Sequence, residues 1–282
     1  MRDELQKKVD RAVRFLRSIP DEEPVEVAYS GGKDSDVILE LVKMSGINYR
    51  AIYKCTTIDP PGTIKHVLDN GVEIVRPKES FFHLIERKGC PSRNARFCCE
   101  KLKEYKVLNR AVLGIRRAES NARSERYNEP EICREYSKTD KSKNARHYYP
   151  LLDWTIDDVS EFIAERGIKC HPLYYDEDGV FHPERRLGCM CCPLASRKHR
   201  IDEFRKYPNM VKAYIRAESK YLLNHPKSPM LGYLKDVYEW FVLQLFCDSK
   251  EDFRLRFGRT LFTPPINCKE FLENYFNIKF KI

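Results

Sequence analysis

The sequence predicts an α/β fold in which a parallel sheet carries helices on both of its faces. Runs of β-branched and aromatic residues alternate with segments of helical periodicity between about residues 25 and 75. A glycine-containing bend joins the first strand to the helix that follows it. From residue 201 to about residue 257 the pattern is mostly helical, which predicts a helical C-terminal extension. Alternating strands and helices are typical of parallel sheets, which bind ligands at the carboxyl ends of their strands.

The first half of the chain supplies most of the sheet. Apolar residues at helical spacing predict an N-terminal helix over residues 5–18. The first strand begins at Val25, and a helix with Val37, Ile38 and Leu41 on one face follows it. Further elements are predicted as strands at 49–57, 72–75 and 111–115 and as a helix at 63–70.

The second half is predicted to be mainly helical. Thr155 is a good N-cap with Asp158 in the capping-box position, and the helix that they begin ends near Gly167. Residues 171–174 are predicted to be extended, and residues 176–179 to form a turn. We expect two parts, an α/β domain over residues 1–175 and a cysteine-motif and helical region over residues 176–282.

The segment Ser30-Gly31-Gly32-Lys33-Asp34-Ser35 has the features of an anion site. Its glycines permit a tight turn that brings successive N–H groups close to an anion, and the next helix adds its positive N-terminal end. Lys33 supplies a positive charge, and the serine hydroxyls can donate hydrogen bonds. The segment therefore predicts a phosphate-binding loop. It differs from the Walker pattern, because the Gly-x4-Gly-Lys-Ser/Thr spacing is absent.

The composition favours a protein that acts on anions. The formal net charge of +9 suits a nucleotide, a sulfate or a nucleic acid, and equally suits ordinary surface lysines and arginines. No apolar run approaches the roughly 18 residues needed to span a bilayer. The N-terminal segment is charged and amphipathic rather than a signal peptide, so we expect a cytoplasmic protein with no membrane partner. The 11 cysteines then argue against a disulfide framework.

Three arginines follow the strand at residues 111–115. Arg116, Arg117 and Arg123 should lie at the same sheet edge as the phosphate-binding loop. Guanidinium groups bind tetrahedral oxyanions through paired hydrogen bonds, so these residues predict a second anion clamp. The polar residues 124–146 are predicted to form a loop that serves as a lid over the site.

Two cysteine groups predict a metal site. Cys98 and Cys99 lie in the first turn of a predicted helix among basic residues, where their pKa values should be lowered. Cys189 and Cys192 supply two more thiols, and Cys191 is a spare. Four sulfurs without a histidine suit tetrahedral zinc or an iron–sulfur cluster. Spacing alone does not separate the two, but adjacent ligands are awkward for structural zinc, which favours [4Fe–4S].

The quoted segments resemble a known family. The Ser30–Ser35 loop resembles the PP-loop of ATP pyrophosphatases, in the adenine nucleotide alpha-hydrolase superfamily. Together with five further segments in the same order, it is similar to the phosphoadenosine phosphosulfate (PAPS) reductase family over about residues 25–200; these segments are 89–103, 114–123, 150–159, 171–174 and 188–193. That family includes adenylyl-sulfate reductases and DNA-phosphorothioation ATP pyrophosphatases.

The resemblance implies a Rossmann-like domain with an adenine nucleotide, ATP or adenylyl sulfate, over the loop. It also implies a [4Fe–4S] cluster on the four cysteines, which are Cys98, Cys99, Cys189 and Cys192, and a sulfate or phosphate patch at Arg116, Arg117 and Arg123. Two departures matter. Reductases of the family carry a C-terminal Glu-Cys-Gly-x-His segment, whereas this tail has only Asn267-Cys268-Lys269-Glu270. Their PP-loop also tends to be degenerate, whereas this one is intact.

These departures favour an ATP pyrophosphatase coupled to sulfur transfer. Lys33, Ser30–Gly32 and Ser35 would hold the phosphates, and Asp34 would orient Mg²⁺ or the nucleophile. Arg116, Arg117 and Arg123 would neutralise developing charge. A sulfur donor protein or thiol and a nucleic acid acceptor are the partners this reading allows. Two alternatives stay open, a thiol-dependent PAPS or adenylyl-sulfate reductase that uses Cys268, and a non-catalytic module that binds nucleic acid or a partner.

Overall fold

The computed structural model describes residues 1–20, 23–104, 110–119, 124–125, 127–134, 145–228, 232–258 and 264–280. Its strands are β1 (Val25–Tyr29), β2 (Tyr49–Lys54), β3 (Glu73–Val75), β4 (Arg110–Val112), β5 (Glu131–Arg134) and β6 (Ala145–Tyr148). Its helices are α1 (Asp3–Arg17), α2 (Lys33–Ser45), α3 (Thr63–Asp69), α4 (Phe81–Lys88), α5 (Phe97–Leu102), α6 (Ile156–Arg166), α7 (Arg197–Lys206), α8 (Pro208–Asn224), α9 (Val237–Phe246), α10 (Lys250–Phe257) and α11 (Cys268–Phe276).

The strands form one mostly parallel sheet. Within the described residues its order is β3-β2-β1-β4-β6-β5. β1 lies between β2 and β4 and is parallel to both, with Val25 opposite Tyr49 and Val27 opposite Val112. Only β5 at the edge runs antiparallel, against β6. This arrangement confirms the predicted α/β fold of Rossmann-like type with a helical C-terminal region.

The chain divides into two compact units. Unit 1 contains residues 1–55, 59–77 and 103–188, and unit 2 contains residues 56–58, 78–102 and 189–282. The predicted division into domains at residues 175 and 176 stays a prediction.

The core of unit 1 forms where the first helices cover the central strands. α2 contacts both α1 and α6, and buries Val37, Ile38 and Leu41 against β1 residues such as Val27. The predicted capping box at α6 is confirmed, since the Thr155 side chain accepts from the Asp158 N–H and Asp158 accepts in return. These contacts hold the carboxyl end of β1 and the start of α2 in place.

Two predictions about local structure are wrong. The polar loop expected at residues 124–146 contains β5 and the start of β6. Ala145 and Tyr148 of β6 are buried, but the charged residues beside them in the sequence hide the strand pattern. Residues 135–144, where the lid was expected, lie outside the described residues. The segment 171–174 is not extended but forms a 3-10 turn at Pro172–Tyr174, because the His171 ring accepts from the Leu173 N–H and Pro172 sets the first φ angle.

Unit 2 has an aromatic core of its own. Phe204, Tyr214 and Phe241 are fully buried, and Phe204 contacts Tyr214 and Phe241 edge-on, with ring centroids 5.4 and 5.3 Å apart. α4 packs along α8, and α9 packs along α11. Cys98 and Cys191 belong to this core, with Cys189 packed against it.

Among the helices in the described part of the chain, none is long and apolar enough to cross a membrane.

Candidate functional site

The phosphate-binding loop lies where β1 passes into α2. Gly31 has a φ angle of +76°, which favours glycine, and a Cβ there would lie 3.2 Å from the Leu187 side chain. The Ser35 hydroxyl donates to the Gly32 carbonyl at 2.7 Å, and the Ser30 hydroxyl donates to Ser35 at 3.2 Å. These bonds hold the turn in a tight shape at the N-terminal end of α2.

Two buried cations meet on one carboxylate beside this loop. The Lys33 ammonium lies 3.0 Å from Asp34 Oδ2, and Arg116 Nε lies 2.6 Å from Asp34 Oδ1. Both cationic side chains are almost fully buried, at 6% and 5% exposure, whereas the Asp34 side chain is 18% exposed. A second carboxylate, that of Glu119, lies 3.8 Å from Arg116 Nε. The loop therefore holds two positive groups that share Asp34 as a counter-ion, and the single negative charge of Asp34 offsets only one of their two positive charges.

A cleft of about 600 Å³ opens over these groups. It is lined by loop residues together with residues from several later segments; these include Ser30, Lys33, Asp34, Ser35, Arg116, Glu119, Tyr174, Glu184 and Arg186. The volume lies in the range of ordinary small-molecule and cofactor sites. The lining combines three cations with hydroxyls and backbone N–H groups, which can bind a phosphate ester, and it also contains the carboxylates of Asp34, Glu119 and Glu184.

Gly114 explains how the loop and the end of β4 come so close. A Cβ on Gly114 would lie 3.1 Å from the backbone carbonyl carbon and oxygen of Asp34. Any larger residue would push the first turn of α2 away from Arg116. Glycine at this position therefore lets the cation reach Asp34.

The three predicted arginines do not act alike. Arg116 lies in the cleft, as expected. Arg117 bonds instead to Asp153 and, through Nε at 2.8 Å, to the Tyr127 carbonyl, and it is not among the described residues that line the cleft. Arg123 lies outside the described residues. Of the two predicted arginines that the structure describes, Arg116 lies at the loop and Arg117 does not.

Sequence reasoning missed a buried polar group beneath the loop. Asp36 accepts from the Tyr29 hydroxyl, and His66 Nε2 lies 2.9 Å from the same Asp36 oxygen. Tyr29 ends β1, Asp36 lies in the first turns of α2, and His66 lies in α3. The group therefore ties together the three elements around the loop, and only a three-dimensional structure could reveal it.

His171 forms a second buried contact nearby. Its Nδ1 accepts from the Leu173 N–H at 3.1 Å, so the neutral ring carries its proton on Nε2 and donates to the Thr63 hydroxyl at 3.1 Å. Burial, together with the neighbouring His66, lowers the pKa of His171 to about 4. The imidazole is thus held in its neutral form.

This burial predicts a stability loss in acid. In the unfolded chain His171 takes up a proton near its ordinary pKa, whereas in the folded protein it does so only near pH 4. The free energy of unfolding is therefore highest at neutral pH and falls as the pH drops from the ordinary histidine pKa to about 4. We expect up to about 3 kcal/mol of the free energy of unfolding to be lost in this window. Chemical denaturation of the wild type and of His171→Gln near pH 7 and near pH 4 measures it.

His171→Gln should be less stable than the wild type at neutral pH, and its free energy of unfolding should fall less on acidification. His199→Gln is the matched control, because His199 is exposed in α7, at 63% of its side chain. Equal acid sensitivity of the wild type and His171→Gln would contradict the prediction.

The predicted cysteine residues all lie in unit 2. Cys98 and Cys99 are in α5 and are hydrogen-bonded to each other, and Cys192 lies near enough to influence Cys98 electrostatically. The Cys189 thiol donates to the Thr56 hydroxyl at 3.5 Å. Among the described residues, no group of three or more His, Cys, Asp or Glu side chains is arranged to hold a metal ion.

The expectation of a lowered thiol pKa is wrong for Cys98. The hydrogen bond with Cys99, burial and the charge of neighbouring thiols raise the pKa of Cys98 well above its usual range. The sequence shows basic residues beside this pair but does not show that Cys98 lies in the aromatic core.

Two carboxylates, that of the buried Glu218 and that of the partly buried Glu203, contact the cysteine segments, and sequence reasoning missed both. Glu218 accepts from the Cys90 N–H, and Glu203 accepts from the N–H groups of Cys191 and Cys192. Burial raises the pKa of Glu218 to about 7 and also raises that of Glu203. Cys191 is fully buried, and its carbonyl accepts from the Tyr214 hydroxyl at 2.7 Å. These bonds fix the backbone of both cysteine segments.

Cys268, the candidate attacking thiol of the reductase alternative, is the first residue of α11. It is buried in the core of unit 2, and burial raises its pKa to about 12. A nucleophilic cysteine needs an accessible thiol with a lowered pKa, so these features disfavour that role.

Comparison with known proteins gives one family. The model of the phosphoadenosine phosphosulfate reductase domain matches residues 24–195. The chain is 31% identical over 155 residues to an uncharacterized protein of Escherichia phage 186, covering 50% of this chain and 43% of that one. It is 25% identical over 232 residues to an uncharacterized protein of Methanocaldococcus jannaschii, covering 76% of this chain and 46% of that one. The chain thus spans less than half the length of these curated relatives.

Two solved structures are similar at a lower level. PAPS reductase from Candida auris, in a phosphate complex, has a TM-score of 0.45 and 18% identity, with 67% of this chain and 96% of that chain covered. FMN adenylyltransferase from Candida glabrata, with FMN and an ATP analogue, has a TM-score of 0.39 and 15% identity, with 61% of each chain covered.

Proposed function

Since the chain belongs to the phosphoadenosine phosphosulfate reductase family, we propose that it binds an adenine nucleotide at the Ser30–Ser35 loop and is an ATP pyrophosphatase. In this proposal ATP is cleaved between its α and β phosphates, and the adenylyl group passes to an acceptor. The membership of the family supports a nucleotide enzyme; the choice of ATP over adenylyl sulfate depends on the site.

One observation carries the proposal. Lys33 and Arg116 are almost fully buried, meet on Asp34, and face a cleft at the N-terminal end of α2. Buried cations are costly unless anions pair with them, and Asp34 supplies one negative charge for two cations. The α-, β- and γ-phosphates of ATP would supply further negative charge at this helix terminus. The 600 Å³ of the cleft is enough for such a ligand.

The groups that line the cleft suit the charge changes of this reaction. An acceptor oxygen attacks the α-phosphorus, the bond between that phosphorus and the bridging oxygen breaks, and pyrophosphate leaves with the electron pair. Negative charge grows on the leaving oxygens as the bond breaks. Lys33 and Arg116 would offset that charge, and the loop N–H groups would hold the phosphates in position. Asp34, once released from one cation, would orient Mg²⁺ or the acceptor.

The thiols extend the proposal to a [4Fe–4S] cluster on Cys98, Cys99, Cys189 and Cys192, with zinc as the alternative. Support comes from the donor set: all four are sulfur ligands, and all lie in unit 2, with Cys98 close to Cys99 and Cys192. A cluster bound there would supply electrons or a sulfur atom for transfer. A sulfur donor protein or thiol, and a nucleic acid as acceptor, complete the proposal.

The experiment that tests the proposal is a substrate comparison. Anaerobically purified protein is incubated with Mg²⁺, a dithiol reductant and either ATP or adenylyl sulfate; nucleotide binding and the release of pyrophosphate, AMP and sulfite are measured. Pyrophosphate released with AMP from ATP supports the proposal. Sulfite from adenylyl sulfate, without pyrophosphate from ATP, would replace it with the reductase alternative, and binding of neither nucleotide would leave the non-catalytic module.

A further inference from the structure

Tyr174 lies against the phosphate-binding loop, and the proposed reaction gives it no role. Its side chain is buried and lines the cleft. Its hydroxyl oxygen accepts from the backbone N–H of Lys33 at 3.3 Å and also from the N–H of Leu187. A Cβ on Gly32 would lie 3.3 Å from this oxygen. The hydroxyl therefore touches the glycine bend itself.

These contacts determine what the hydroxyl can still do. A phenol oxygen can accept hydrogen bonds and can donate one proton. The two N–H groups occupy its accepting side, and among the residues that the structure describes none accepts its proton. Buried polar groups in proteins rarely stay without a partner. A donor left over at a phosphate-binding loop points to an oxygen of the ligand as its acceptor.

The ring is held firmly in this position. Tyr174 ends the 3-10 turn that begins at Pro172, and the His171 side chain caps that turn. The Lys33 ammonium lies 5.5 Å from the ring centroid. Burial raises the pKa of Tyr174 to about 12, although its hydrogen bonds from the two N–H groups lower it, so the hydroxyl keeps its proton at neutral pH.

We propose that Tyr174 is a further substrate-contacting residue, whose hydroxyl donates a hydrogen bond to a phosphate oxygen of the bound nucleotide. The inference rests on the proposed function. Tyr174 thereby acts on the same anion as Lys33 and Arg116, but as a neutral donor whose direction is set by the backbone of the loop. Its contribution should grow as negative charge develops on the phosphate.

The competing explanation is structural: the hydroxyl would serve only as the acceptor that holds the loop. The two roles respond in opposite ways to loss of the phenol proton. A phenolate is a stronger acceptor for the Lys33 and Leu187 N–H groups, but it can no longer donate. A change in the acidity of the phenol, without a change of shape, therefore separates the two roles.

The test replaces Tyr174 by 3,5-difluorotyrosine, which lowers the pKa of the phenol with little change in size. Pyrophosphate release from Mg–ATP is followed from neutral to alkaline pH. We expect the variant to lose activity as its phenol ionises, at a pH where the wild type is unaffected. The control places the same analogue at Tyr175, whose hydroxyl accepts from the Cys170 N–H at 3.2 Å and whose side chain is not one of the described groups lining the cleft.

A second variant measures the size of the effect. Tyr174→Phe should lower kcat/KM about 10- to 100-fold, as expected for loss of a hydrogen bond to a charged group, whereas Tyr175→Phe should stay close to the wild type. Identical pH profiles for the two fluorinated proteins would overturn the role of Tyr174 and leave the proposed function intact. A wild type that releases no pyrophosphate would overturn the proposed function, and this inference with it.

Discussion

Replacement of Lys33 by alanine is expected to slow pyrophosphate release from ATP by about 100- to 1000-fold, the usual effect of removing one preorganised group that stabilises developing charge. The reason is the position of the ammonium. It is buried in the cleft, at the first residue of α2, and one carboxylate separates it from Arg116. No water molecule could replace a full positive charge at that point.

The measurement is a steady-state pyrophosphate assay on the wild type, Lys33→Ala and Lys65→Ala. Lys65 is the matched control, since it is an exposed lysine of the same unit that pairs with Asp69 on α3. Circular dichroism and the urea midpoint verify that the variants fold. Wild-type activity in Lys33→Ala would remove this lysine from the chemistry and would contradict the assignment of the loop as the phosphate site.

The second large effect concerns the thiols. Cys98→Ser and Cys189→Ser should each remove most of the iron and acid-labile sulfide from anaerobically purified protein, because a [4Fe–4S] cluster needs a thiolate for each iron. The visible absorbance of the cluster should disappear together with the iron. Each variant removes a thiol from one of the two cysteine segments, so the pair tests whether both segments supply ligands.

Cys268→Ser serves as the control for a thiol outside the proposed ligand set. It lies in the core of unit 2, buried at the start of α11. Its iron content should equal that of the wild type, and pyrophosphate release should be unchanged. If the wild-type protein is colourless and contains zinc, the zinc site replaces the [4Fe–4S] cluster in the proposal. Iron retained in both Cys98→Ser and Cys189→Ser would contradict the proposed ligands.

The sequence was most informative where function depends on neighbouring residues. The loop between β1 and α2 could be predicted because its glycines, its lysine and its serines lie within six successive positions, Ser30 to Ser35. The cap of α6 is equally local, since Thr155 and Asp158 are three residues apart. In both places the residue types within a few positions are enough to predict the local backbone structure.

It was least informative where side chains meet across large separations. Arg116 and Arg117 are adjacent and chemically identical, yet only Arg116 reaches the loop, because the 3-10 turn that begins at Arg117 sends the two guanidinium groups in different directions. Tyr174 and Lys33 are 141 positions apart in the sequence, and no sequence pattern predicts their contact. The thiols of Cys98 and Cys189 also look alike in sequence, although only Cys98 is part of the buried core.

The carboxylate of Asp34 has a consequence for what the cleft selects. Since it already pairs with both Lys33 and Arg116, an arriving anion must compete with a resident counter-ion for these two cations. An anion that binds without a cation leaves the Asp34 carboxylate next to negatively charged oxygens, which repel it. A nucleotide that brings its own divalent cation would offer the displaced carboxylate a new partner, so we expect the cleft to bind Mg–ATP more tightly than free phosphate.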